Sequence, residues 1–244
     1  MPFLHGKQTK VYLAGYDVSA YFNEISHSNS VETAETTTFA NTGDAKSYIA
    51  GLRDGTVSMG GMFDGGTNAI DDQVAAILSS DTNTHVLYAV TGLAAVNDPV
   101  RFAACRPTSY QVSSPVGDVV SASVDLQADA GVLLGIGLDP TSASASGNAT
   151  SKDQTASSTT GAVYQFHVTA NTRSASTALY VYHSADNTTF AALGAGLTVP
   201  ATTTGSYQLV IPAGTTINRY VRFQWVISSG TGSLTFVGGF ARLF

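Results

Sequence analysis

Five histidines, at positions 5, 27, 85, 167 and 183, are the side chains best suited to ligate a metal or to move a proton near neutral pH. No two stand four apart on one helical face, and the nearest pair, His167 and His183, is sixteen positions apart. Those two meet only if neighbouring strands bring them together, and ordinary strand positions are the simpler reading. The acids fare similarly. Asp71 and Asp72 stand at the start of an apolar-periodic run, where a helix dipole favours negative charge. Asp64-Gly65-Gly66 and Asp186-Asn187 lack the alternating oxygen ligands of a calcium loop and read as turns.

Nucleophiles are no better placed. The one cysteine, Cys105, ends the apolar run Val100-Arg101-Phe102-Ala103-Ala104 and reads as a buried small hydrophobe. There is no G-x-S-x-G elbow, and the glycines of Gly131–Gly137 (GVLLGIG) lack the lysine of a phosphate cradle. An enzyme is therefore not expected, nor a metal, nor a cofactor. One pattern does suggest a ligand: Tyr180, Tyr182 and Trp225, with Tyr164, are aromatics on strand-like runs, and aromatic faces stack on sugar rings. A core role competes with that glycan platform, because alternating aromatics also fill β-sandwich interiors.

The elements that hold these residues are mostly strands. Charged residues make up 11% of the 244, against a usual ~25%, while 43% are hydrophobic. So little charge suits a subunit whose faces are covered by neighbours. Residues 1–140 carry six basic against fifteen acidic side chains, a balance of −9; residues 141–244 carry five against two, or +3. No basic stripe favours sequence-specific nucleic-acid binding, and a negative wall would repel phosphate. No apolar run reaches the ~20 residues of a membrane span, and the start MPFLHGKQTK does not resemble a secretion signal.

In order, Val11–Val18 reads as a short strand and turn, and Thr33–Phe39 as a Thr-rich strand. A polar excursion follows, with Tyr48, Ile49 and Leu52 as its apolar anchors; Asp54-Gly55 gives a hairpin signal and Thr56–Phe63 a returning strand. Ile70, Val74, Ile77 and Leu78 mark one helical face, so Ala69–Leu78 is expected as a helix capped by Thr67 or Asn68. Further strands are expected at His85–Val90, Pro99–Cys105, Thr108–Val112 and Gly117–Gln127. The Ser/Thr/Ala/Gly-rich residues 141–160 read as a linker, and 161–244 as a β-sandwich of short strands and turns. The expected fold class is mainly β, with one short helix.

The segment YLAGYDVS followed by ETAETTTFANTGDAKSYIAGLRDGTVSMGGMFD resembles the tail tube (major tail) proteins of long-tailed bacteriophages. The residues carrying the likeness are Thr36, Thr37, Thr38, Phe39, Gly51, Leu52, Asp54, Gly55, Phe63 and Asp64, within a match over residues 8 to 138. Residues 184–190 and Phe240-Ala241-Arg242 resemble jelly-roll-like accessory domains.

The resemblance implies a tail-tube-type domain at 1–140, a linker at 141–160 and an accessory sandwich at 161–244. It implies a structural virion protein, made in the bacterial cytoplasm, that forms stacked hexameric rings around a conduit for DNA. Its partners would be copies of itself, other tail proteins, and viral DNA that passes without specific binding. The self-assembly loop would comprise Thr38, Phe39, Asp44, Lys46, Tyr48, Ile49, Leu52 and Arg53. The alternative is a capsid-decoration or host-surface glycan-binding module using Tyr180, Tyr182 and Trp225.

Overall fold

The computed structural model describes residues 6–38, 45–67, 69–80 and 82–243. In chain order the elements are β1 (Lys10–Leu13), β2 (Tyr16–Asp17), β3 (Phe22–Glu35), β4 (Tyr48–Met62), α1 (Ile70–Leu78), β5 (Thr84–Ala89), β6 (Pro99–Ser113) and β7 (Ser121–Ala143). There follow β8 (Gly147–Asn148), β9 (Lys152–Asp153), β10 (Ala162–Asn171), β11 (Thr177–Ser184), β12 (Ala191–Ala192) and β13 (Leu197–Val199). The last are β14 (Gly205–Ile211), β15 (Tyr220–Ile227) and β16 (Leu234–Arg242). The protein is mainly β, with one α-helix among the described residues, as its alternation and turn chemistry lead one to expect.

Contacts divide the chain into two compact units. The first holds the residues up to Ala20, Thr84–Phe102 and those from Leu133 onward; the second holds Tyr21–Asn83 and Ala103–Val132. The contacts thus do not separate at the expected 141–160 boundary. That stretch has little apolar periodicity but is anchored by backbone: β8 and β9 both pair with β15, through Gln224↔Asn148 and Val221↔Lys152. The Trp225 indole N–H donates to the Ala145 carbonyl at 3.0 Å, and an Arg219–Asp153 ion pair closes the other end.

In the first unit the strand order is β14-β10-β16-β7-β6-β5-β1-β2. The sheet curls back on itself. Gly15, in the turn between β1 and β2, lies so close to Gly205 that an added Cβ would sit 2.4 Å from its Cα, at a φ of +94° that favours glycine. The Gly15 N–H donates to His167 Nδ1 of β10. As a result β10 and β16 are covered on both sides. Tyr164, Phe166, Val168, Phe236 and Phe240 pack against Leu179, Val181, Val221 and Phe223 of the second sheet, while Val163, Val237 and Ala241 pack with Tyr12, Leu87 and Phe102 inside the curl. The pair Gly238-Gly239 makes this possible: an added Cβ would meet the Phe166 ring from the first and the Phe102 ring from the second.

In the second unit β3 and β4 run antiparallel from Phe22↔Gly61 to Glu35↔Tyr48. β4 pairs in turn with β7, but only from Gly55↔Ala128 to Met62↔Ser121. The expected Asp54-Gly55 turn is instead continuous strand. Gly55 is needed for closeness rather than for turning, since an added Cβ would lie 2.8 Å from Asn29 Oδ1 and 2.9 Å from Gly131 Cα. Residues 36–47 connect the two antiparallel strands.

The helix buries Ile70, Val74 and Ile77 as its periodicity predicts, whereas Leu78 is exposed and Gln73 is buried. Its N-cap is Ala69, with no side-chain cap, rather than Thr67; Asn68 lies outside the described residues. Asp71 and Asp72 occupy the first turn, and Asp71 accepts a hydrogen bond from the Tyr110 hydroxyl at 2.9 Å.

Candidate functional site

The second unit contains a ribbon without a third strand. From Val31 to Glu35 on β3 and Tyr48 to Asp54 on β4, the two strands pair only with each other, and all their residues are exposed. Such a two-stranded ribbon is marginal in water by itself. Polar and backbone contacts hold it. The Thr36 N–H donates to the Ser47 carbonyl at 2.8 Å, the Ser47 N–H to Thr37 Oγ1 at 3.0 Å, and Lys46 pairs with Glu35 at 2.9 Å across an exposed edge. One bulge interrupts the pairing: Gly51 and Leu52 together oppose Glu32, between Val31↔Arg53 and Thr33↔Ala50. A bulge of this kind bends the strand and increases its twist.

The ribbon carries large apolar side chains that none of the described residues covers. Leu52 is 76% exposed, Ile49 57%, Tyr48 55% and Val31 43%. Of the expected assembly residues, Lys46, Tyr48, Ile49, Leu52 and Arg53 stand on this ribbon or its lead-in, and Thr38 is exposed just beyond β3. Phe39 and Asp44 lie outside the described residues. Sequence reasoning placed this set in a loop; four of them, Tyr48, Ile49, Leu52 and Arg53, belong to a regular strand. It missed Val31, which lies across from Arg53, and the apolar side chains Val112, Val116 and Val119 around the connection between β6 and β7. Their signal was apolar residues amid Ser, Gly and Pro, where a core position is not expected.

At the ribbon's base Arg53, Asp54, Arg106, Gln127 and Asp129 line an open polar cleft of about 510 Å³. The Gln127 side-chain amide donates to the Gly55 carbonyl at 3.0 Å and also to Asp54. Nearby Asp125 accepts from Ser109 at 2.6 Å, and hydrogen bonds from Ser109 and Ser58 hold its carboxyl below the usual range.

The expected glycan trio is divided. Tyr180 and Tyr182 share one face of β11, their rings 5.7 Å apart and edge-to-face. Trp225 lies opposite Leu179 on the core side, its ring 5.5 Å from Phe236. Strand alternation explains the split: Trp225 shares the parity of Val221 and Phe223, both buried.

Among the described residues no cluster of three ligating side chains forms, and His5 lies outside them. His183 Nδ1 accepts from the Asn218 N–H at 3.0 Å, away from His167. His167 is fully buried beside Tyr12, ring centroids 6.2 Å apart, and burial, with His85 nearby, brings its pKa down to about 3. His85 Nδ1 bonds the Ser206 hydroxyl at 2.8 Å, and burial lowers its pKa to about 4. Cys105 is buried, and desolvation pushes its thiol up to about 12, so it is inert as a nucleophile.

No family model matches the chain, and no curated protein matches it in sequence. Solved structures do. A chain of the virion of a native gene transfer agent particle is 14% identical with a TM-score of 0.46, over 54% of this chain and 98% of its own. The SPP1 tail tube is 13% identical with a TM-score of 0.42, over 56% of this chain and 81% of its own. The SPP1 Dit protein (gp 19.1) is 13% identical with a TM-score of 0.38, over 97% of this chain and 99% of its own.

Proposed function

We propose that this protein is a structural component of a phage tail, a subunit that polymerises with copies of itself into stacked rings around a conduit for DNA. The observation that carries the reading is the β3–β4 ribbon, where Val31, Tyr48, Ile49 and Leu52 are exposed on a two-stranded element with no covering layer among the described residues. Isolated exposed apolar residues are ordinary; four on one short ribbon form a surface meant to be met. β3 adds a second reason, because its outer edge pairs with no other strand among the described residues. An open edge fourteen residues long is a liability that ring closure removes. Of the residues shared with tail tube proteins, Gly51, Leu52 and Asp54 lie on this ribbon and Thr36, Thr37 and Thr38 follow β3 directly, and the scarcity of charge suits surfaces that spend their life covered.

Negative-stain electron microscopy of the purified chain tests the reading. Rings or tubes are expected from the wild type, and folded monomers from Leu52→Asp or Ile49→Asp. Tubes of normal length from either variant would remove the ribbon from assembly. Rings that never stack would reduce the tube to a single annulus, and a monomer at all concentrations would overturn the reading.

A further inference from the structure

The sheet that holds β11 and β15 has one face on the core and one facing away from it. Leu179, Val181, Val221 and Phe223 are buried against the core, so Tyr180, Tyr182, Arg222 and Gln224 take the outer face, in the cross-strand pairs Tyr180↔Gln224 and Tyr182↔Arg222. Phe190, in the turn after β11, covers Arg222: the guanidinium carbon stands 4.0 Å from the ring centroid. Arg222 Nη2 donates to Gln224 Oε1 at 3.0 Å. The guanidinium plane is therefore fixed by a stack and one hydrogen bond.

Among the described residues no carboxylate neutralises it. Asp153 is engaged by Arg219. Asp186 is held in its turn by the Thr188 and Thr189 N–H groups and the Ser184 hydroxyl. Arg222 Nε is buried and has no partner. A half-buried cation without a counter-ion costs free energy, and an arriving anion removes part of that cost. A guanidinium held in one plane matches the two oxygens of a carboxylate or phosphate better than a mobile ammonium does. Beside it, Tyr182 offers an aromatic ring of the kind that sugars stack on, whereas Tyr180 is covered, since an added Cβ at Gly196 would lie 2.4 Å from its ring.

We propose that this outer face binds an anionic saccharide, with Arg222 taking the acid group and Tyr182 packing against the sugar ring. Phe190 and Gln224 are positioning residues that hold the guanidinium. Trp225 takes no part. The proposal does not rest on ring assembly, because none of these residues belongs to the β3–β4 ribbon.

Calorimetric titration of the full chain with oligogalacturonate, with a hexose-phosphate oligosaccharide and with a neutral cello-oligosaccharide tests it. At least one charged series is expected to bind about tenfold tighter than the neutral one, and Arg222→Ala to weaken it by about tenfold or more. Arg222→Lys, which keeps charge and length but not the planar fork, is expected to lose much of the same affinity, and circular dichroism checks that each variant is folded. Tyr182→Ala weakens charged and neutral sugars alike. Binding of one charged series alone identifies the acid group as carboxylate or phosphate. No saturable binding of either charged series overturns the proposal. So does equal affinity for the neutral sugar, or affinity unchanged in both Arg222 variants. Loss of ring assembly in Arg222→Lys, with no sugar bound by the wild type, would give this face to a second copy of the chain instead.

Discussion

β10 in the first unit and β4 in the second are both long antiparallel strands, yet water meets them in opposite ways. Seven consecutive residues of β10, Ala162 to Val168, are buried because a second sheet lies on one face and the curled sheet closes over the other. Seven consecutive residues of β4, Tyr48 to Asp54, are exposed because only β3 accompanies them. The difference separates two uses of apolar side chains. In β10 they hold the monomer together; in β4 they contribute little to it and are available to something else. Each prediction below breaks or sharpens that contrast.

The largest effect is expected at Phe166, whose ring lies 5.9 Å from Phe223 and 6.1 Å from Phe236, both edge-on. Phe166→Ala is expected to lower stability by about 3–5 kcal/mol, read from a denaturant midpoint, because the surrounding rings cannot close the cavity. A loss under about 1 kcal/mol would mean that the doubly covered strand is not the centre of the fold.

Next comes acid. The folded pKa values of His85 and His167, about 4 and about 3, lie below the ordinary 6.5, so the unfolded chain binds the protons more readily. Their contribution is complete above pH 6.5, falls as the pH drops, and is gone below the folded values. Protonation also places a second N–H against the Gly15 N–H that His167 Nδ1 now accepts. Melting temperatures between pH 7 and 3.5 should fall steeply for the wild type and less steeply for His167→Gln. Parallel curves would show that the buried histidine is not what acid attacks.

A middle effect is expected where the ribbon leaves the sheet. Gly55→Ala places a methyl against Gly131 backbone and should cost about 1–3 kcal/mol by chemical denaturation. A neutral result would restore the turn that the Asp-Gly pair suggests. The smallest change in stability, within about 0.5 kcal/mol, is expected for Leu52→Asp and Ile49→Asp, since both side chains are already in water. Those same variants should nonetheless abolish rings and tubes in the microscope. A large loss of stability would show that the ribbon serves the monomer after all.

The sequence was legible where burial writes itself into residue type. The runs at 163–168 and 234–240 are mostly apolar and aromatic because both their faces are covered, the run at 220–226 alternates because only one of its faces meets the core, and the helix at 70–78 shows its face at a period of 3.6. It misled where a residue answers to distant neighbours. Gly55 looks like a turn residue, but Asn29 and Gly131 dictate it, and neither is near it in sequence. The hydroxyl-rich 141–160 stretch looks like a linker because its pairing to β15 uses backbone, which leaves no apolar signature. Trp225 and Tyr182 look equivalent until parity along the strand places one inside and one outside. The first unit is assembled from three separated segments, and no local pattern announces that.

The ribbon's two sides have a further consequence. Tyr48 and Ile49 are successive strand residues, so their side chains point in opposite directions. A single flat neighbour could shelter only one of them. Full shelter needs a slot with two walls, and when two bodies must supply those walls, a lone pairwise encounter leaves half the apolar surface wet. Growth from such an element should begin abruptly above a threshold concentration rather than rise in proportion to it.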